Sequence, residues 1–76
     1  MNIWVLQYRE SGEEDQISLF SNEQSAKQRA YDIFYDMAKW NGTDENEIPN
    51  NLDDLEELCS DYDYGYFQIY EQRVEQ

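Results

Sequence analysis

Ile3-Trp4-Val5-Leu6-Gln7-Tyr8-Arg9 is the stretch on which the fold turns. β-branched and aromatic residues dominate it, which marks a strand. From Ile3 to Leu6 both alternating faces are apolar. A strand covered on both sides reads this way, whereas one with a solvated face alternates apolar and polar. The segment predicts a central strand, and the rest of the chain must supply its neighbours and its cover. Glu10 to Asp15 is polar and holds Gly12, a turn signal. Gln16-Ile17-Ser18-Leu19-Phe20 then resumes a weak alternation, so the two segments predict an antiparallel hairpin.

Ser21 followed three residues later by Gln24 has the spacing of a capping box, with Phe20 placed as a hydrophobic staple. A helix is expected from about Asn22 to Asn41. Its apolar positions are Ala26, Ala30, Ile33, Phe34, Met37, Ala38 and Trp40, at helical spacing. Gly42 is a normal stop, and Glu23 and Lys39 complement the helix dipole. Thr43 to Asn51 is a polar connection containing Pro49. Leu52, Leu55, Leu58 and Cys59 predict a second helix over about 52–60, capped by Asn50 or Asn51. Asp61 to Gly65 reads as a turn-like linker, and Tyr66 to Val74 as another strand. On that strand Tyr66, Gln68 and Tyr70 share one face, and Phe67 and Ile69 the other. The order ββααβ predicts an α+β fold. It is a two-layer sandwich with a three-stranded antiparallel sheet, the first strand central, and two helices on one face. Residues 1–76 read as a single small acidic domain.

The charge balance limits what such a domain does. Eighteen Asp and Glu stand against five Lys and Arg with no His, giving a net charge of −13. The pI is about 4.1. Such a chain is not expected to bind DNA or RNA directly, because that requires Lys and Arg against phosphate. Anionic membrane surfaces repel it for the same reason. The sequence holds no apolar run long enough for a transmembrane helix and no basic-then-apolar leader at its start. The single Cys59 cannot form an intramolecular disulfide, which favours a reducing compartment such as a cytoplasm. Hydrophobic residues at 39% and aromatics at 16% separate the chain from disordered acidic tails.

Catalytic chemistry is not expected. Without His there is no Ser-His or Cys-His pair, and Cys59 lies in a Leu-rich stretch that marks it as core. No Gly-rich phosphate loop or Cys/His zinc cluster is present. Calcium loops beginning at Asp61 or Asp44 put Tyr66 or Pro49 where Gly is needed and Gln72 or Leu55 where Glu is needed. Paired carboxylates also serve glycoside hydrolysis, but so short a chain has little room for a sugar cleft. The reading is of a non-enzyme with no cofactor, no metal and no catalytic residue.

The acidic residues are unevenly placed. From Trp40 to Gln72 there is no Lys or Arg, yet the stretch holds Asp44, Glu45, Glu47, Asp53, Asp54, Glu56, Glu57, Asp61, Asp63 and Glu71. Asp53 with Glu56 and Glu57, and Asp32 with Asp36, are like-charge neighbours one helical turn apart. Each such pair destabilises by roughly 0.2–0.5 kcal/mol. Tyr62, Tyr64 and Tyr66 alternate with Asp61, Asp63 and Gly65. Tyr is favoured at interfaces because it offers rigid contact area and a hydrogen-bonding tip. An acidic run is ordinarily a solubilising face, and a halophile surface is a further plain reading. Local choices that oppose folding point instead to function. The expected partner is the basic surface of a nucleic-acid-binding protein. The expected contact residues are Asp53, Asp54, Glu56, Glu57, Asp61 and Asp63, with Tyr62 and Tyr64 as anchors and Asp32 and Asp36 extending the surface. The alternative is an interaction module or adaptor, acting through the Tyr-rich strand or as a homodimer through a sheet edge.

The layout resembles small acidic proteins of phages and mobile elements. The strand-loop-strand opening, the helix start Phe20-Ser21-Asn22-Glu23-Gln24-Ser25-Ala26 and the closing strand Tyr66-Phe67-Gln68-Ile69-Tyr70-Glu71 carry the likeness. Such proteins include nucleic-acid mimics: anti-CRISPR proteins and inhibitors of restriction enzymes. The resemblance implies an inhibitor used in evasion of host defence, with a CRISPR effector as the leading target, and it assigns no residue.

Overall fold

A computed structural model describes residues 2–74 of the chain. Its elements are β1 (Asn2–Glu10), β2 (Gln16–Phe20), α1 (Glu23–Trp40), a one-turn 3-10 helix (Glu45–Glu47), α2 (Leu52–Asp61) and β3 (Gly65–Arg73). The sheet order is β2-β1-β3, antiparallel throughout, so the doubly apolar first strand is central. Leu6 lies opposite Ser18 and Ile69, and Tyr8 opposite Phe67. These residues, with Trp4, form the face that meets the helices. Ile3, Val5, Gln7 and Arg9 take the opposite face.

Phe34 is the centre of the core. It is fully buried, meets Tyr8 edge-on at 6.5 Å and lies 4.9 Å from the Phe67 ring. Truncating a ring so enclosed costs roughly 3–5 kcal/mol. Ala26, Ala30 and Ala38 are fully buried beside it. Their small side chains let α1 lie close to the sheet. Leu55 and Cys59 dock α2 on the same cluster, beside Met37 and Ile48. Gly65 shows how tightly β3 enters. A Cβ there would stand 2.5 Å from the Arg9 carbonyl oxygen and 3.0 Å from Met37 Sδ.

Several details differ from expectation. The cap of α1 is Asn22, not Ser21: Asn22 Oδ1 accepts from the Ser25 amide at 2.8 Å, which starts the helix at Glu23. Trp40, expected on the apolar face, is 92% exposed. The 100° step per residue carries it about 160° around the helix from Ala38, off the core stripe. Asp61 belongs to α2 rather than to a linker, and β3 begins at Gly65. The polar connection contains the 3-10 turn, started by Asp44 Oδ1 accepting from the Asn46 amide at 2.9 Å. No helix among the described residues is long and apolar enough to cross a membrane.

Candidate partner-binding face

The rotation of α2 is fixed by its apolar stripe. Leu55 and Cys59 are buried and Leu52 and Leu58 half-buried, so Asp53, Asp54, Glu56, Glu57 and Asp61 fall on the solvent half of the helix. All five are exposed. Asn51 caps the helix reciprocally: its Oδ1 accepts from the Asp54 amide at 2.9 Å, and its Nδ2 donates to Asp54 Oδ2 at 2.8 Å. Asp53, Glu57 and Asp61 follow one another at i, i+4 spacing, one per turn. Among the described residues one ion pair forms, Lys27 Nζ to Glu23 at 3.1 Å, and it lies on α1. The α2 carboxylates are therefore not neutralised by a neighbouring cation there.

The end of α2 repeats a device used at the end of α1. The Gly42 amide donates to the Lys39 carbonyl at 3.1 Å and Thr43 to Ala38 at 3.0 Å. After α2, Asp63 donates to Ser60 at 3.1 Å and Tyr64 to Cys59 at 2.9 Å. Both are the paired bonds of a Schellman cap, whose turning residue needs a left-handed backbone and is usually Gly. Gly42 has φ 97°, but the equivalent residue after α2 is Asp63 at φ 55°. A carboxylate thus stands where glycine is the easy choice. The same turn stacks Tyr62 on Tyr64, centroids 5.5 Å apart and planes 18° from parallel. Tyr62 is exposed and Tyr64 half-buried.

Tyr62 and Tyr64 line an open recess of about 330 Å³ with Leu58, Thr43, Asp44 and Glu47. Asp44 and Glu47 therefore join the face, although sequence spacing alone gave no reason to group them with α2. Glu45 turns away and accepts from Tyr35 Oη at 2.8 Å, which raises the Tyr35 pKa. Asp32 and Asp36 are exposed on α1. Asp32 accepts from Gln28 Nε2 at 3.0 Å. Asp36 lines a different groove, shared with Arg29, Lys39, Trp40 and the carboxylate Glu10. The acidic face thus consists of α2, the turn after it and the 44–47 loop, with Asp36 apart.

Cys59 is fully buried, and its Sγ is 3.9 Å from the Phe34 carbonyl oxygen. Burial pushes its pKa up to about 11, so it stays a thiol at neutral pH. Among the described residues no three or more His, Cys, Asp or Glu are grouped to hold a metal ion. Compared with known proteins, the chain matches no family model, no curated protein and no solved structure.

Proposed function

We propose that the chain is a non-enzymatic inhibitor that presents α2 and the turn after it to the basic surface of a nucleic-acid-binding protein in a bacterial host. The layout resemblance names a CRISPR effector as the target. One observation carries the reading. Ten residues of α2 rise roughly 15 Å and carry five carboxylates, about one charge per 3 Å. A strand of B-DNA carries one per roughly 3.4 Å. An array of that density suits a groove lined with Lys and Arg, and Tyr62 and Tyr64 add a stacked aromatic pair at its end. Long-range attraction would speed encounter, and close contact would exclude the nucleic acid.

The test is affinity capture from a bacterial lysate at 50 and 500 mM salt, followed by competition with DNA and RNA oligonucleotides. Expected is a nucleic-acid-binding protein retained at low salt and released by salt or by the oligonucleotide. A variant with Asp53→Asn, Asp54→Asn, Glu56→Gln and Glu57→Gln should lose it. Retention that is insensitive to salt and coexists with bound nucleic acid would refute mimicry.

A further inference from the structure

The sheet has a second face, turned away from both helices. Its outward positions are Ile3, Val5, Gln7 and Arg9 on β1, Ile17 and Leu19 on β2, and Tyr66, Gln68, Tyr70 and Gln72 on β3. Leu19, Val5 and Tyr70 form one row across it, and Ile17, Gln7 and Gln68 the next. Val5 is 2% exposed beneath its neighbours, but Ile17 and Leu19 are each 62% exposed and Tyr70 39%. These apolar side chains lie together on one flat surface, unlike the lone Trp40. Among the described residues no acid occupies an outward strand position, and the one carboxylate that meets the face is Asp15 of the β1–β2 loop, which accepts from Gln7 Nε2 at 3.4 Å. Arg9 is its one charge; it donates to the Glu13 carbonyl and, at 3.4 Å, to Tyr66 Oη.

We propose that this face is the interface of a homodimer, two copies meeting sheet to sheet across a two-fold axis. Three properties select a second copy as the occupant. A two-fold interface must be complementary to itself. Apart from Arg9, every polar side chain on the face is an amide or a hydroxyl, both donor and acceptor, so each can pair with its own kind. Gln68 Nε2 donates to Gln7 Oε1 at 2.9 Å and Gln7 Nε2 to Asp15 at 3.4 Å, and the amide row keeps the Gln68 carbonyl and its second N–H groups for a partner. The second property is charge. Two copies at −13 repel wherever their acidic surfaces meet, and the strands of this face carry no carboxylate, with Asp15 alone reaching it from the β1–β2 loop beside the Arg9 cation. Packed sheets lie roughly 10 Å apart, and each helix layer adds roughly 10 Å. The two α2 faces would then be about 30 Å apart, several times the Debye length of ~8 Å at physiological salt. The third is area. Nine-residue β1 and β3 span roughly 30 Å, five-residue β2 about 17 Å, and strands lie ~4.8 Å apart. These dimensions give a footprint of roughly 370 Å² per copy, about 500 Å² with side-chain relief, the size of a weak, transient interface. A dissociation constant in the micromolar range is expected. The dimer would carry its two acidic faces on opposite outer surfaces.

Sedimentation equilibrium of the full chain decides this. The expected mass moves from the 9.2 kDa chain toward twice that value between micromolar and millimolar concentrations. Added salt should tighten the dimer, because it screens like-charge repulsion and favours apolar burial. Leu19→Glu should weaken dimerisation at least about a hundredfold, since it places an unpaired charge from each copy in the contact. Trp40→Glu, equally charge-adding but off the sheet, should not. Methyl resonances of the unmodified chain provide a second reading that no variant can spoil. Those of Val5, Ile17 and Leu19 should shift on dilution while those of Leu55 stay fixed. A chain that stays monomeric to 1 mM at high salt overturns the proposal. So does a dimer that survives Leu19→Glu in a folded protein, or dilution shifts that avoid the sheet.

Discussion

Replacing Asp63 with Gly should make this protein more stable. Asp63 is the left-handed residue of the Schellman cap on α2, at φ 55°. An L-residue in that conformation costs roughly 1–2 kcal/mol, and Asp falls at the lower end because short polar side chains tolerate it. Its carboxylate also stands just past a helix C-terminus, where the dipole opposes an anion by roughly 0.3–1 kcal/mol. Arg9 shares a shallow recess with Asp63, Ser11 and Tyr66 but forms no ion pair with Asp63, being bonded to Tyr66 and the Glu13 carbonyl. Against these gains, Gly loosens the unfolded chain by roughly 0.4–1 kcal/mol. The net expectation is a gain of about 1 kcal/mol, or roughly 4–8 °C in Tm for a domain of this size. Gly42→Asp is the mirror experiment on α1. It sits at φ 97°, and nothing lies within 4 Å of an added Cβ, so the expected loss of about 1–2 kcal/mol is purely backbone and dipole. Thermal melts by circular dichroism at fixed salt measure both. If Asp63→Gly lowers Tm, the side chain contributes to folding and the argument that it is kept against stability is wrong. If the variant is more stable yet loses its partner in the capture assay, stability and binding are separated at one residue.

Other perturbations follow from single contacts. Gly65→Ala should destabilise by roughly 1–3 kcal/mol, because the added carbon collides with the Arg9 backbone, which cannot move without opening the β1–β3 ladder; denaturant titration checks it. Cys59 should resist thiol reagents in the folded state at pH 8 and react once the chain is unfolded. Its folded pKa of about 11 lies above the ordinary thiol value, so the folded state holds its proton longer. Stability should therefore fall as pH rises through about 9 to 11, a decline that Cys59→Ser should reduce in melts across that range. With a net charge of −13, Tm should rise as sodium chloride increases from 10 to 300 mM, and a flat response would mean self-repulsion is unimportant.

Much of this architecture is written locally. The alternation in Gln16–Phe20 and the 3.6-residue stripes through Phe34 and Leu55 need only neighbours a few positions away, so they are legible in sequence. Helix rotation is legible too, and with it the exposure of Asp53, Glu57 and Asp61. Caps were less so: Ser21 and Asn22 are both good caps, and a single hydrogen bond to Ser25 separates them. The sequence alone determined a β-β-α-α-β order, a central first strand and a cation-free acidic segment, because each depends on residue type and period. The tertiary structure decided what lies beside what. It brought Asp44 and Glu47 to Tyr62 and Tyr64, and it set Asp36 among Arg29 and Lys39. It also showed that the outward side of the sheet exposes Ile17, Leu19 and Tyr70 together and carries no carboxylate on its strands. That last fact depends on the β1–β2 and β1–β3 registers, and a one-residue slip in either would turn every side chain of a strand to the other face.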